Sequence, residues 1–344
     1  MSKELNWKKI IDIKNIQEEI DKNWLNINEK EKNIIKTFRK QISDILVWKD
    51  KRKLIIIWPC SVDFEESIIE YAKKLKEISD DVKDKLLIVM RTYTAKPRTT
   101  VWWKWVLYNW ELWKQWNLRD WILFVRKLYK KITEIWLPIA DEMLYPSLTA
   151  INSEYLSYLA IWARSSENQE HREVASLFNI PVWIKNNTAW NIKRTVDSLE
   201  SVQASHQVHL NWGFYQSDWN KLSHIILRGY NDWYKSFSNI KEWEIERYLE
   251  EINKRKLINN WIIIDANHDN SWKNISNQIE NIKFITYLLN TRFPLIKWYM
   301  VESYLHSWNQ KINSTNLIKW KSITDPCISI IDTENIIKYI YKKI

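Results

Sequence analysis

Two spacings of apolar residues alternate along most of this chain. From residue 53 onward, short and nearly continuous apolar runs stand at Leu54–Ile57, Leu86–Met90, Leu137–Ala140, Leu159–Ala163, Pro181–Ile184, His224–Leu227, Trp261–Ile264 and Lys297–Val301. Runs of this length, rich in Ile, Leu and Val, suit strands buried on both faces. Between them lie helix-like segments with an apolar stripe, at Glu65–Ser79, Leu118–Thr133, Asn168–Phe178, Asn191–Val202, Ile240–Lys254 and Ile275–Leu289. Strand and helix in alternation predict an α/β fold with a parallel sheet, and eight such runs predict closure into a (β/α)8 TIM barrel rather than an open sheet. Residues 1–50 read differently. They are polar, with Ile34, Ile35, Phe38, Ile42 and Ile45 at helical spacing, and predict an N-terminal helical extension whose stripe needs a partner. The barrel is expected to occupy 51–344.

Each run is followed closely by a polar residue. Cys60 follows the first, Arg91 and Lys96 the second, Glu142 the third, Arg164 the fourth, Lys185 the fifth, Arg228 the sixth, His268 the seventh and Glu302 the eighth. In a barrel these C-terminal strand ends converge on one face, where such folds place their chemistry. Arg91, Lys96, Arg98, Arg164, Lys185 and Arg228 would surround one cavity with positive charge, an arrangement that needs anions inside it. Phosphorylated or carboxylated substrates follow from that. A single Lys or Arg is ordinarily a solvated surface charge, but Arg91 and Arg228 close the runs Leu-Leu-Ile-Val-Met and Ile-Ile-Leu. The planar guanidinium fork suits a carboxylate or phosphate clamp.

A second set comprises Cys60, His268, Glu302 and Asp325, one soft donor, one imidazole and two carboxylates. This mixture suits a divalent transition metal better than magnesium or calcium, without selecting among manganese, iron, cobalt and zinc. Taken singly, Cys60 also suits a small buried hydrophobe and His268 a hydrogen-bonded loop residue. No Cys-x-x-Cys pair is present, so the metal reading depends on the barrel gathering distant loops.

Composition bounds the rest. With 45% apolar residues among 344, the chain can bury a large core. No stretch approaches 18 uncharged apolar residues, and Met1-Ser2-Lys3-Glu4-Leu5-Asn6 lacks the apolar run of a signal peptide, so a cytoplasmic protein without membrane contact is expected. Two cysteines, Cys60 and Cys327, cannot form a disulfide framework and suit a reducing compartment. The net charge of +10 comes without a basic block or nucleic-acid motif, so no nucleic-acid partner is expected.

The chain holds 24 Trp and only two Gly, where an average composition gives about 24 Gly. Trp58, before Pro59-Cys60, and Trp136, Trp183, Trp272 and Trp308 stand in short loops or strand ends, places where a backbone favours glycine. Two dozen indoles there would overpack a core and obstruct a pocket. UGA specifies glycine in some bacterial lineages, stop in the standard code and Trp in another. The expectation is therefore that many of these positions are glycine in the protein the cell makes, with Trp103 the best candidate for a genuine tryptophan.

Several motifs carry a family resemblance. Trp58-Pro59-Cys60-Ser61 looks like a Gly-Pro-Cys-Ser motif, and the block Met90-Arg91-Thr92-Tyr93-Thr94-Ala95-Lys96-Pro97-Arg98-Thr99-Thr100-Val101-Trp102-Trp103-Lys104-Trp105 resembles a Met-Arg-Thr-Tyr…Lys-Pro-Arg-Thr-Thr-Val-Gly-Trp-Lys-Gly signature. Both resemble the class I 3-deoxy-D-arabino-heptulosonate 7-phosphate (DAHP) synthases. The likeness continues through Ala163-Arg164-Ser165-Ser166-Glu167-Asn168-Gln169, His224-Ile225-Ile226-Leu227-Arg228-Gly229, Asp265-Ala266-Asn267-His268-Asp269-Asn270-Ser271, Val301-Glu302-Ser303 and Lys321-Ser322-Ile323-Thr324-Asp325. It spans about residues 50 to 335 and sets Trp58, Trp102, Trp105, Trp121, Trp136, Trp162, Trp183, Trp190, Trp272, Trp298, Trp308 and Trp320 at family glycines.

The resemblance implies condensation of phosphoenolpyruvate with erythrose 4-phosphate, the first step of the shikimate pathway. It implies that Arg91, Lys96, Arg164, Lys185 and Arg228, with Glu142 among them, hold phosphoenolpyruvate, and that Lys96, Pro97, Arg98, Thr99 and Thr100 line the erythrose 4-phosphate site. Cys60, His268, Glu302 and Asp325 would bind the divalent metal, and Lys96, Cys60 and His268 would be catalytic, with Lys96 donating the proton to the new hydroxyl. The extension and a hairpin insertion at Val208–Ser223 would form an inhibitor site for an aromatic amino acid, and the extension a homo-oligomer, dimer or tetramer. The chain departs from the family at Val62-Asp63-Phe64, where Ile-His-Asp is common, at Asn187 and Ala189, where Gly and Asp are usual, and in the shortness of the hairpin, which leaves the effector open. Oxidation coupling Cys60 to Cys327 is a further expectation, beside that of an inert buried Cys327. The rivals are a related synthase of 3-deoxy-octulosonate 8-phosphate acting on arabinose 5-phosphate, a single-stranded nucleic-acid binder using exposed Trp, and an inactive product of the Trp-containing sequence.

Overall fold

A computed structural model describes residues 13–60, 62–95, 118–210, 213–232, 234–255, 257–259, 261–311 and 317–344. Its centre is a closed barrel of parallel strands, β1 (Lys53–Trp58), β2 (Leu86–Arg91), β3 (Ile139–Glu142), β4 (Tyr158–Ile161), β5 (Val182–Lys185), β6 (His224–Leu227), β7 (Ile262–Asp265) and β8 (Ile296–Glu302). Every strand pairs with its neighbours in sequence, and β8 pairs back onto β1, Ile57 opposite Val301 and Trp58 opposite Glu302. All eight apolar runs become strands, and no end moves by more than two residues. The largest shift is at β3, which starts after Pro138. Proline has no N–H to give the ladder, although its carbonyl still accepts from the Met90 amide at 2.9 Å.

The pleat sorts the strand residues into two sets. Leu54, Ile56, Trp58, Leu87, Val89, Ala140, Tyr158, Ala160, Trp183, Ile226, Ile263 and Met300 pack with one another inside the barrel. The alternate residues, among them Ile55, Ile57, Ile88 and Met90, pack with the surrounding helices. Helix Glu65–Val82 shows how those helices earn their place in the wall: Ile68, Tyr71, Ala72, Leu75, Ile78 and Val82 are buried at helical spacing.

The stripe of the extension finds its partner at the barrel floor. Helix Glu29–Leu46 opens with a capping box, in which Asn28 Oδ1 accepts from the Glu31 amide at 2.9 Å and Glu31 Oε2 accepts from the Asn28 amide at 3.0 Å. Its Ile42, Ile45 and Leu46 join the interior set beside Leu54 and Leu87, at the strands' N-terminal ends. Arg39 fixes the helix by donating to the carbonyls of Leu156 at 2.8 Å and Ser153 at 2.9 Å. The expected hairpin is present, Gln207–Leu210 paired antiparallel with Gly213–Gln216. Three helices were not foreseen, Pro146–Asn152, the single turn His268–Ser271 and Ile330–Lys343. No helix among the described residues is long and apolar enough to cross a membrane.

Backbone conformation isolates the tryptophans. Ten non-glycine residues among those described have φ between +48° and +68°, and seven of them are Trp24, Trp48, Trp136, Trp190, Trp272, Trp308 and Trp320. The other three, Tyr93, His268 and Lys273, lie at or near strand tips of the barrel mouth. Left-handed backbone costs an L-residue about 1–2 kcal/mol, so seven such tryptophans together cost on the order of 10 kcal/mol, comparable with the whole stability of a domain. Gly229 shows what the fold asks at such a place: its φ is +78°, and an added Cβ would lie 2.6 Å from the Asn270 amide nitrogen.

Candidate active site

The predicted residues gather at the C-terminal mouth because each lies at or just beyond a strand end. Arg91, Glu142, Lys185 and Glu302 are the last residues of β2, β3, β5 and β8, and Arg228 is the first after β6. Cys60 follows β1 by two residues and His268 follows β7 by three.

Three of the metal-ligand candidates converge closely. The ligand atoms of Cys60, Glu302 and Asp325 all lie within 4.8 Å of one another. Cys60 Sγ is 3.5 Å from Glu302 Oε1 and 3.4 Å from Asp325 Oδ2. His268 joins through Glu302, its Nε2 3.6 Å from Oε1. Residues 242 and 265 positions apart thus share one corner. Cys60, Glu302 and His268 are buried and Asp325 is half-buried. Burial pushes the His268 imidazole down to about 4, so it is neutral at pH 7 with a lone pair to offer. The soft, imidazole and carboxylate donors therefore fit a divalent transition metal.

Neighbours that the sequence reading missed hold these ligands in place. Asp265 Oδ2 stands 2.6 Å from His268 Nδ1, a close contact outside hydrogen-bond angles. Burial acts to raise Asp265, but His268, Lys185 and Arg228 together draw it below the usual carboxylate value. A carboxylate behind the second ring nitrogen orients a ligating imidazole. Asn267 Nδ2 donates to Glu302 Oε2, and Gln278 clamps the Glu302 backbone at both ends, donating to its carbonyl at 3.1 Å and accepting from its amide at 2.8 Å. Lys273 Nζ donates to Asp325 Oδ1 at 2.8 Å. Asp265 had a readable signal, since a carboxylate closing the run Ile262–Ile264 would not sit there without a partner.

The cationic side of the mouth is equally dense. Arg91 and Lys185 are fully buried, Arg228 nearly so. Glu142 Oε1 accepts from Arg91 Nη2 at 2.5 Å and lies 3.3 Å from Lys185 Nζ. Arg228 Nη1 lies 2.6 Å from Asp269 Oδ2. The Lys185 and Arg228 contacts lie outside hydrogen-bond geometry, and Arg91 Nε, Arg91 Nη1, Lys185 Nζ and Arg228 Nη1 have no hydrogen-bond partner among the described residues. Burial pushes the Lys185 ammonium down, with Glu142 opposing. Arg91 is pulled by burial toward losing its proton, but Glu142 and neighbouring acidic groups outweigh this and hold it above its ordinary value. Asn186 joins two strand tips, its Nδ2 donating to the Gly229 carbonyl at 2.9 Å and its Oδ1 accepting from the Arg228 amide at 2.8 Å.

Two expectations stand apart. Arg164 is exposed and lies over the Trp162 ring at 4.7 Å, unlike the buried trio. Lys96, Pro97, Arg98, Thr99 and Thr100, with Trp103, fall outside the described residues. Where the common His is replaced, Asp63 is buried and accepts from the Tyr304 hydroxyl at 2.5 Å. Cys327 is buried, and burial first and Cys60 second raise its thiol well above the ordinary value, which keeps it protonated.

The Trp58 indole occupies the centre of this mouth. Its ring stacks on His268 at 6.1 Å, with the Arg91 guanidinium 4.7 Å and the Lys185 ammonium 6.0 Å from its centre. Its Nε1 is buried without a hydrogen-bond partner.

Comparison with known proteins agrees on one family. Residues 24–338 match the sequence model of the DAHP synthetase I family. A Trp-sensitive phospho-2-dehydro-3-deoxyheptonate aldolase of Escherichia coli K12 is 32% identical over 313 residues, covering 87% of this chain and 86% of its own length. The Phe-sensitive aldolase of the same strain is 33% identical over 312 residues, covering 89% and 87%. The solved structure of the phospho-2-dehydro-3-deoxyheptonate aldolase of Francisella tularensis SCHU S4 superposes with a TM-score of 0.90 over 98% of both chains, at 27% identity.

Proposed function

Since the chain belongs to the DAHP synthetase I family, we propose which of its side chains carry out the family's reaction. That reaction condenses phosphoenolpyruvate with erythrose 4-phosphate and water, giving DAHP and phosphate at the start of aromatic biosynthesis. It also decides between the two sugars, since arabinose 5-phosphate belongs to a different synthase.

Arg91, Lys185 and Arg228 hold the carboxylate and phosphate of phosphoenolpyruvate, joined by Arg164 and Lys96. The observation that carries this reading is the set of buried donors on Arg91, Lys185 and Arg228 that make no hydrogen bond, although Glu142 and Asp269 lie beside Lys185 and Arg228 as counter-charges. Buried cationic donors without acceptors are costly unless an anion completes them. Glu142 sets the spacing of Arg91 and Lys185 by contacting both. Lys96, Pro97, Arg98, Thr99 and Thr100 line the side that takes erythrose 4-phosphate.

In the reaction, carbon 3 of phosphoenolpyruvate attacks the aldehyde carbon, water adds at carbon 2, and phosphate leaves by carbon–oxygen cleavage. Lys96 donates the proton to the new hydroxyl. Cys60, His268, Glu302 and Asp325 hold a divalent ion, manganese, iron, cobalt or zinc. Bound there, the ion supplies Lewis-acid polarisation of the aldehyde oxygen. Fixing two anionic reactants in register contributes about 7–11 kcal/mol to lowering the barrier. Lys96→Met and His268→Ala are each expected to abolish DAHP formation while circular dichroism stays unchanged. Near-normal turnover by either overturns the assignment.

The extension over residues 1–50 and the Gln207–Gln216 hairpin form the regulatory part, taking an aromatic amino acid and assembling a dimer or tetramer, in a cytoplasmic enzyme. The names of the Trp-sensitive and Phe-sensitive relatives support feedback of this kind. A turnover assay with Phe, Tyr and Trp in turn identifies the effector, and inhibition by none of them removes this part of the reading.

A further inference from the structure

We infer that positions 24, 48, 58, 136, 190, 272, 308 and 320 are glycine in the working enzyme, because the backbone bends left-handed at seven of them and the eighth points its side chain into the space between the site cations and His268.

Two independent observations carry this. The first is conformational. Among the described residues the chain has fifteen tryptophans, and seven of them take φ between +50° and +68°. Tryptophan has no local hydrogen bond to offer in that region, unlike Asn or Asp, and bulky residues are outliers there. The places are those that glycine serves. Trp48 and Trp136 lie just beyond the helices Glu29–Leu46 and Leu118–Glu134, their amides donating to Ile45 O at 3.2 Å and Thr133 O at 2.9 Å. Trp272 is itself the left-handed C-cap of the short helix His268–Ser271. Five of the seven, Trp24, Trp48, Trp136, Trp272 and Trp308, are exposed.

The second observation is steric and electrostatic, at position 58. The indole lies against Arg91, Lys185 and His268, with its own N–H unsatisfied in a buried setting. An indole cannot accept the hydrogen bonds that the orphaned Arg91 and Lys185 donors need, whereas an anion in that volume can. Glycine at 58 opens the space without moving the strand, which pairs with β8 through its backbone.

The conformational observation alone does not depend on what the enzyme does; the inference at 58 rests on the proposed anion site. Peptide sequencing by mass spectrometry, on enzyme purified from its own cells, reads each position directly. Glycine is expected at all eight, and an intact mass below the 42.1 kDa of the Trp-containing chain, lighter by about 129 Da for every indolylmethyl side chain replaced by hydrogen. The codons are expected to be UGA at these eight and UGG at Trp103. Tryptophan at the seven left-handed positions overturns the inference for them, and tryptophan at 58 overturns it for the site. A recombinant pair, the chain with Trp and the chain with Gly at all eight, gives a second reading. The glycine chain is expected to melt more than about 10 °C higher and to gain phosphate binding by calorimetry; equal melting temperatures count against the left-handed set and equal phosphate affinities against 58. Peptide identities involve no turnover, so their failure leaves the catalytic assignment standing, and an inactive chain with confirmed glycines fails that assignment alone.

Discussion

The two arcs of the barrel mouth are built from opposite materials. Along β7, β8 and β1, which are neighbours in the closed sheet, the mouth carries His268, Glu302 and Cys60, all electron-pair donors. Along β2 to β6 it carries Arg91, Lys185 and Arg228, all proton donors, with Glu142 set between two of them. The arcs touch where Arg228 meets Asp269 from the β7 loop. Strand order thus separates the proposed seat for a cation from the proposed seat for anions without any loop having to carry both. A sheet whose neighbours in space are neighbours in sequence lets this division appear as two blocks of the chain, closed by β1 at one end.

Exchanging losses between the arcs tests that division most severely. Cys60→Ala is expected to lose divalent-ion binding, read by metal analysis after dialysis, while still binding phosphoenolpyruvate in calorimetry. Arg91→Ala is expected to keep the metal and to weaken phosphoenolpyruvate by roughly 10- to 100-fold, the scale of one hydrogen bond to a charged group. If either substitution removes both ligands, the arcs act as one unit and the comparison fails.

A smaller effect probes the carboxylate inside the cationic arc. Glu142→Gln leaves Arg91 and Lys185 buried without their shared counter-charge, which is expected to destabilise the fold by about 3–5 kcal/mol. Inorganic phosphate should then raise the melting temperature of the variant more than that of the parent. An equal rise in both would mean that Glu142 does not share its space with the anion.

The smallest effect is a pH dependence. Burial holds His268 and His224 down to about 4, from an ordinary value of 6.5. Between pH 6.5 and 4 the unfolded chain binds more protons at both, so acidification through this window costs stability. Asp63, raised by burial to about 6, works the other way between pH 3.8 and 6, because the folded chain then holds its proton more tightly. Lys297, held down by burial to about 6, adds to the loss between pH 7 and 6, so three groups outweigh Asp63, expected as a lower urea midpoint at pH 5 than at pH 7. His224 lies in the barrel interior beside Tyr158, away from the metal ligands, so His224→Gln should remove part of this slope without altering metal content.

The barrel was legible because its strands are aliphatic runs that end in a polar residue, a pattern a buried parallel strand almost imposes. Helix ends were legible to within a few residues for the same reason. The C-terminal helix Ile330–Lys343 was missed although Ser329 and Asp332 form a capping box at its start and its buried Ile336, Ile337 and Ile340 stand at helical spacing. At the site, residues at strand ends were found, and their holders were not. Asp265, three residues before His268, could have been read, but Asn267, Gln278 and Lys273 act on neighbours whose proximity only the closed barrel creates. Sequence spacing carries no trace of such pairs.

The pairing of β1 with β8 has a consequence for how the enzyme is born. During synthesis the first strand waits, its outer edge unpaired, until the eighth has been made some 240 residues later, since Glu302 must meet Trp58. Until then no truncated chain holds both halves of the proposed metal corner, and added metal is not expected to rescue an unfinished molecule. Early folding has to rely on local strand–helix pairs, and protection from aggregation falls to whatever shields that lone edge on the ribosome.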